Sequence, residues 1–223
     1  MFYGAAEFSR DTDIVVLAAP ENLDRLSAAL DQLQAECIAV PPFEAQYLAR
    51  GHAVHFRCRH ADVAGMRIDV MSVMRGVAAF KELWERRITL EEPSGAILEI
   101  LALPDLVKAK KTQRDKDWPM LRRLIEADIV QHEAAANGPQ IRFWLEECRS
   151  PKRLIELAQR YSEQAIESAA KRPLLSAALL RDEGSLREGL EREEQCEREA
   201  DRVYWAPLKA ELEKLRHRRR EAE

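Results

Sequence analysis

Two aspartates, Asp11 and Asp13, stand directly before the apolar, β-branched run 14–18. The run predicts a strand buried on both faces, and side chains two residues apart on a strand point to the same side. The two carboxylates therefore project together from the start of this strand. Adjacent carboxylates repel each other unless a cation joins them, and Mg²⁺ prefers such oxygen ligands. The pattern favours half of a metal site for phosphoryl chemistry, and the alternative is a solvated turn before a strand.

A third acid, Asp69, lies in the middle of another apolar run. An ionised carboxylate inside a sheet is costly unless it is paired or bound to a metal ion, so a salt bridge to Arg67 or Arg57 is one explanation. If its strand lies beside the strand of Asp11 and Asp13, three carboxylates converge instead. Two-metal phosphoryl transfer needs that arrangement, in which one cation holds a triphosphate and the other activates the attacking hydroxyl.

The elements that must position these acids follow from the hydrophobic periodicity. A helix is predicted over 22–33, with Asn22 as its N-cap. The runs 53–58 and 66–73 predict an antiparallel hairpin. The residues 37–40 form a short apolar run that stops at two prolines. Further strands are predicted over 88–90 and 96–101, and further helices over 78–87, from Leu103 through Lys111, and from Trp118 through Ile129. These elements indicate an α/β (α+β) domain built on a small mixed β-sheet with flanking helices.

The sequence Asn137-Gly138-Pro139 is the best candidate for a domain boundary. After it the strand-like runs vanish, and the segments 140–149, 151–171, 174–200 and 201–222 all predict helices. We therefore expect a domain over 1–136 and an all-helical appendage over 137–223. Most charges of the appendage indicate a solvated face. The basic end, however, could contact phosphate; it comprises Lys214, Arg216, Arg218, Arg219 and Arg220.

Composition narrows the classes of protein that this chain can belong to. The formal net charge of −4 over 223 residues gives no protein-wide basic field for nucleic acid. The four cysteines form no CxxC pair, and the histidines at 52, 55 and 60 fit no standard zinc spacing, so reduced thiols in a cytosolic protein are favoured. No apolar run approaches the ~20 residues of a membrane span, and no signal peptide is evident. We predict a cytoplasmic protein without a membrane partner.

Several separated motifs resemble those of the minimal nucleotidyltransferases of the polymerase-beta-like superfamily, a bacterial family with toxin and antitoxin members. The resemblance covers roughly residues 2–130. It implies an α/β fold and a Mg²⁺-dependent transfer of a nucleoside monophosphate from NTP to an acceptor hydroxyl, which could belong to RNA, a protein or a small molecule. The motifs, in order, are Tyr3-Gly4, Ser9-x-Asp11-x-Asp13, Arg67-Ile68-Asp69, Leu106-Val107-x-x-Lys110 and Arg114-x-Lys116-Asp117.

The resemblance also implies a role for each matched residue. Asp11, Asp13 and Asp69 would hold two Mg²⁺ ions, with Asp69 as the catalytic acid. Ser9, Lys110 and Arg114 would contact the nucleotide, and Lys116 and Asp117 would support the site. The alternative for the lysines around Lys110 is an exposed helix face.

One departure from the family keeps a second hypothesis open. Relatives usually carry a Gly-Gly or Gly-Ser turn upstream of the acids, and its backbone N–H groups cradle the triphosphate. The sequence begins beyond that point, at Met1-Phe2-Tyr3-Gly4. The second hypothesis is therefore a catalytically degenerate relative, an antitoxin-like module that binds a protein partner, or itself, through its C-terminal helices.

Overall fold

The computed structural model describes Tyr3 and residues 11–222, the last of these without its side chain. The described chain forms two compact units. The sheet unit comprises residues 11–109 together with 203–222, and the helical unit comprises Tyr3 together with Lys110–Arg202. The boundary predicted after residue 136 stays a prediction; in the structure, Lys110 is where the helical unit's main segment starts.

The sheet unit is built on a four-stranded mixed sheet, which confirms the predicted fold class. Its strands are β1 (Asp11–Val15), β2 (Ala35–Cys37), β3 (Val54–Cys58) and β4 (Arg67–Met71), in the order β1-β4-β3-β2. β1 and β4 are parallel, and the other neighbours are antiparallel. A separate antiparallel pair consists of β5 (Ile88–Glu91) and β6 (Ile97–Ile100). The helices are α1 (Pro20–Gln32), α2 (Ala45–Ala49), α3 (Phe80–Arg86) and α4 (Leu103–Ala109).

Only one face of the four-stranded sheet is part of the apolar core. Val54 and Phe56 of β3 alternate with polar residues, as do Ile68 and Val70 of β4, and all four are buried. They form one cluster with Leu23 and Leu30 of α1 and with Leu48 of α2. Each such side chain contributes about 1.5–3 kcal/mol when it leaves water. The period-2 alternation therefore fixes which face packs against helices and leaves the other face to polar side chains.

Two predicted details around β1 are wrong. The strand contains Asp11 and Asp13 instead of following them. It is exposed to half-buried, not buried on both faces, because these two side chains lie on the face that points away from the apolar core. The N-cap of α1 is Ala19, with Pro20 at the first helical position, where a missing N–H costs nothing. Asn22 lies inside the helix, and its Nδ2 donates to the carbonyl of Leu17 at 2.9 Å.

Residues 203–222 complete the sheet unit from the far end of the sequence. The buried side chain of His52 lies with Nε2 2.7 Å from Oε2 of Glu211, and Nη2 of Arg50 lies 2.9 Å from the other oxygen of that carboxylate. The hydrogen bond to His52, helped by the positive charge of Arg50, holds the pKa of Glu211 below its ordinary value. Gly51, at φ +98°, lies against Tyr204.

The helical unit contains α5 (Asp117–His132), α6 (Gly138–Glu147), α7 (Pro151–Arg160), α8 (Ser162–Ala169) and α9 (Leu175–Leu179). The first half of α10 (Glu183–Ala222) also belongs to it. The predicted helical character is thus confirmed, but the helix bounds differ. The predicted helix 151–171 is divided into α7 and α8 at Tyr161, whose backbone leaves the helical region at φ −120° and ψ 52°. The predicted break after residue 200 does not occur, because α10 is continuous.

A buried aromatic residue anchors the helical unit. Trp144 of α6 is fully buried, and its Nε1 donates to Oδ2 of Asp128 on α5 at 2.7 Å. The helix that carries it begins with a reciprocal cap, in which Asn137 and Gln140 each bond the other's backbone. No helix among the described residues is both long and apolar enough to span a lipid bilayer.

Candidate functional site

Strand register places the three predicted acids on one face of the sheet. In the parallel pair β1–β4, Asp11 is opposite Arg67 and Asp13 is opposite Asp69. In the antiparallel pair β3–β4, His55 is opposite Asp69. Residues opposite each other in a sheet share a face, and those two apart along a strand share it too. We call this surface the polar face; it comprises Asp11, Asp13, His55, Arg57, Arg67 and Asp69.

The carboxylate of Asp69 is held on both oxygens by a single guanidinium. Nε of Arg67 donates to Oδ1 at 2.7 Å, and Nη2 donates to Oδ2 at 3.0 Å. This forked geometry is the strongest that a guanidinium and a carboxylate make. The side chain of Asp69 is 14% exposed, against 37% for Arg67. The salt bridge to Arg67, one of the explanations that the sequence left open, is therefore observed.

His55 supplies a third contact to the same carboxylate. Its Nδ1 lies 2.8 Å from Oδ1 of Asp69 and 3.1 Å from Nη2 of Arg67. A guanidinium nitrogen only donates and a carboxylate only accepts, so both contacts cannot be hydrogen bonds at once. The shorter contact to a charged acceptor favours the proton on Nδ1, directed at Asp69. His55 and Arg67 together orient this carboxylate from two strands.

These contacts shift the ionisation of both partners. Partial burial alone would raise the pKa of Asp69, but hydrogen bonds from His55 and Arg67 outweigh it and hold this pKa below its ordinary value. The hydrogen bond to Asp69 raises the pKa of Arg67, and attraction by Asp11 and Asp13 adds to the rise. Arg67 therefore lies in the combined field of all three acids.

The donor chemistry of the polar face suits a hard cation, but its arrangement is not a finished metal site. Carboxylate oxygens from Asp11, Asp13 and Asp69 are the ligands that Mg²⁺ prefers. Within residue 3 and residues 11–222, no group of three His, Cys, Asp or Glu side chains is spaced to hold a metal ion. Both oxygens of Asp69 already accept hydrogen bonds from Arg67. A metal ion at Asp69 would have to share or replace these bonds.

The other predicted site residues belong to the helical unit, with one exception. Lys110 and Lys111 follow the end of α4 at Ala109, so the prediction that they lie on that helix is wrong. Lys116 is exposed at the N-cap position of α5. Ser9 lies outside the described residues.

Asp117 organises the loop that contains Arg114. Its buried carboxylate begins α5 and accepts from Oγ1 of Thr112 at 2.5 Å and from Nε of Arg114 at 2.9 Å. A carboxylate at a helix N-terminus is favoured by the helix dipole, which adds to these bonds. The pair Arg114–Asp117 is thus an ordered part of the loop between α4 and α5.

Sequence reasoning did not assign a role to His55. The available signal was the alternation of polar His55 and Arg57 with buried Val54 and Phe56, which places both polar residues on the face of β3 that points away from the apolar core. The hairpin of β3 and β4 was predicted, but the register that sets His55 opposite Asp69 was not.

Comparison of the chain with protein-family models and with curated proteins finds no match.

Proposed function

We propose that this chain is a nucleotidyltransferase-like protein that transfers a nucleoside monophosphate from NTP to an acceptor hydroxyl. The observation that carries the proposal is the register of β1 and β4, which sets Asp13 opposite Asp69 and Asp11 on the same face. In this reaction the acceptor oxygen bonds to the α-phosphorus, the bond from that phosphorus to the bridging oxygen breaks, and pyrophosphate leaves. The acceptor hydroxyl loses its proton.

Five residues of the polar face have a part in this proposal. Asp11, Asp13 and Asp69 would hold Mg²⁺, which when bound neutralises phosphate charge and lowers the pKa of the acceptor hydroxyl. The lowered pKa of Asp69 keeps its carboxylate ionised at neutral pH, so it can accept the proton of that hydroxyl, although as a weak base. His55 and Arg67 fix the direction of the carboxylate.

The resemblance supplies the remaining roles in the proposal. Lys110 and Arg114 would contact the triphosphate, as would Ser9. Lys116 and Asp117 would support the loop, and the observed bond between Arg114 and Asp117 supports this part for Asp117.

The proposal is tested by label transfer from α-³²P-NTP, with each of the four nucleotides, Mg²⁺, and either bulk RNA or a protein extract as acceptor. Asp13→Asn and Asp69→Asn should each lower the transfer rate by at least 100-fold. The control is Asp24→Asn, an exposed carboxylate on α1 in the same unit, and it should leave the rate unchanged. Transfer that persists in Asp69→Asn would refute the assignment of the site.

A second function, binding of a protein partner, is favoured by one specific observation. The forked ion pair of Asp69 with Arg67 engages both carboxylate oxygens, which would compete with their coordination of a metal ion. Exposed apolar side chains in the helical unit offer contact area for a partner or a second copy, among them Val130, Ile166 and Leu180.

Calorimetry separates the two functions before any acceptor is known. The enzyme hypothesis requires heat of NTP binding that depends on Mg²⁺ and is lost in Asp69→Asn. The module hypothesis requires no such heat, together with a sedimentation coefficient that falls when Leu180 is replaced by Glu. Ser176→Glu, at an exposed neutral position on α9, is the control for the added charge.

A further inference from the structure

The C-terminal turns of α10 are strongly basic in an otherwise acidic chain. From Lys214 to Glu221 the helix carries five Lys or Arg side chains and one acid, a formal net charge of +4 with His217 neutral, whereas the whole chain carries −4. All five basic side chains are exposed. Charge asymmetry of this size directs anions to one part of a surface.

Three of these side chains line an open groove within the sheet unit. Arg216, Arg219 and Arg220 are spaced i, i+3 and i+4, so they lie on one side of the helix. Opposite them is the segment 38–40, which follows β2. The cavity between them has a volume of about 350 Å³. That volume is at the small end of the range for ligand sites, which is roughly 300–1,000 Å³.

The wall opposite the arginines is apolar and held in place by the sheet. It consists of Ile38, Ala39 and Val40. The backbone N–H of Ile38 donates to the carbonyl of His55 at 2.9 Å, and Sγ of Cys37 donates to the carbonyl of Ala39 at 3.2 Å. An apolar wall beside clustered charges concentrates their field and offers a surface for a flat, weakly polar group.

The helix dipole does not account for the whole arrangement. Basic residues at a helix C-terminus gain about 0.3–1 kcal/mol from the partial charge of roughly −0.5 there. That attraction explains why arginines are tolerated, but it does not require a facing wall. An anion in the cavity would meet three full positive charges, which exceed the partial negative charge severalfold.

We infer that this basic groove, formed by Arg216, Arg219, Arg220 and the segment 38–40, binds the phosphate groups of a nucleotide or a nucleic-acid strand. Guanidinium groups pair with phosphate oxygens in a forked geometry, and the apolar wall takes the sugar or base. The inference uses none of the three acids and does not rest on the proposed transfer reaction. Ile38 follows β2, two strands from Asp69, a separation of about 10 Å at ordinary strand spacing.

The experiment is fluorescence anisotropy of a labelled single-stranded RNA 12-mer with the full chain, in EDTA, between 50 and 200 mM salt. Three phosphate contacts on a single strand give a slope of about −2 in log K against log salt, which is about a 20-fold loss of affinity over this range. Replacing Arg216, Arg219 and Arg220 by Ala should remove that slope and raise Kd at least tenfold at 50 mM.

The matched control replaces three exposed arginines elsewhere on α10, namely Arg187, Arg192 and Arg202, and so removes the same charge from the same helix. It should leave Kd and slope unchanged. Ala39→Glu, on the opposite wall, should weaken binding as strongly as the triple variant without altering the helix. Equal losses in both triple variants, or full binding by Ala39→Glu, would overturn the inference.

Competition then identifies the source of the phosphate. If ATP at 1 mM displaces the RNA from the wild-type chain, the groove accepts a free nucleotide. If an unlabelled strand displaces it and ATP does not, the groove requires a nucleic-acid strand. Because no Mg²⁺ is present and none of the three acids lines the groove, failure here is distinct from failure of the proposed transfer reaction.

Discussion

Replacing Arg67 by Met tests how the polar face divides its acids between a guanidinium and a metal ion. The substitution removes both hydrogen bonds to Asp69 and keeps most of the apolar stem. Without metal, the carboxylate of Asp69 stays partly buried and loses its forked partner, keeping only the contact with His55. A charge-assisted hydrogen bond contributes about 1.5–3 kcal/mol, and solvent near Arg67 weakens the pair, so we expect a loss of about 2 kcal/mol in the free energy of unfolding.

The same substitution should strengthen metal binding. If Asp69 bridged the guanidinium and a divalent ion, the two cations would be about 5 Å apart. Their repulsion is about 1.7 kcal/mol even at the dielectric constant of water, and greater in a less polar surrounding. Removing the guanidinium should therefore raise affinity for Mn²⁺, used as a probe for Mg²⁺, by about 20-fold or more.

Arg67→Met should thus lower the stability of the protein and raise its affinity for Mn²⁺, and a general loss of folding would not produce this combination. Thermal unfolding in EDTA should show Tm lowered by about 4–8 °C in Arg67→Met. Titration with Mn²⁺, followed by electron paramagnetic resonance, should show the tighter binding. The control is Arg59→Met, which removes an exposed pair with Glu36 and should change neither quantity. Unchanged or weaker Mn²⁺ binding in Arg67→Met would show that Asp69 holds no metal.

Three further predictions concern stability. Because folding lowers the pKa of Asp69, its stabilising contribution is present above the ordinary pKa of about 3.9 and is lost as pH falls through the lowered pKa; the gap in urea unfolding between the wild-type chain and Asp69→Asn should therefore be constant near neutral pH and narrow as pH falls below about 4. Arg172→Met removes the forked partner of Glu193 and the donor to the carbonyl of Leu145, so it should cost about 3 kcal/mol by calorimetry; an unchanged unfolding free energy would contradict this role of the buried guanidinium. Gly51→Ala places a non-glycine residue at positive φ and sets its Cβ 2.5 Å from Oη of Tyr204. Chemical denaturation should therefore show a free energy of unfolding lowered by about 1–3 kcal/mol, and an unchanged midpoint would contradict this reasoning.

Local patterns were sufficient to predict most strands and helices of the chain. The alternation over 53–58 and 66–73 predicted β3 and β4 and their antiparallel pairing, which the structure confirms. The spacing of leucines predicted α1. These predictions succeed because an element that is buried on one face has apolar residues at the period of its secondary structure.

The arrangement of the candidate site was less accessible from the sequence. Asp13 and Asp69 are neighbours because β1 lies parallel to β4. The sequence allowed this strand pairing to be proposed but did not establish it. Whether Asp69 pairs with Arg67 or with a metal depends on the path of one flexible side chain. The predicted helical segments 174–200 and 201–222 meet at residue 200, yet no strong helix breaker stands there, and α10 continues through Pro207.

The pairing of His52 with Glu211 has a consequence for how the protein forms as it is synthesised. The first hundred residues contain the whole four-stranded sheet, but the carboxylate that pairs with His52 belongs to Glu211, in the last turns of α10. All of Lys110–Arg202 leaves the ribosome in between. The contacts of His52 with Glu211 and of Gly51 with Tyr204 can therefore form only after α10 has been synthesised. Until then, the surface around Gly51 stays open to water and to chaperones.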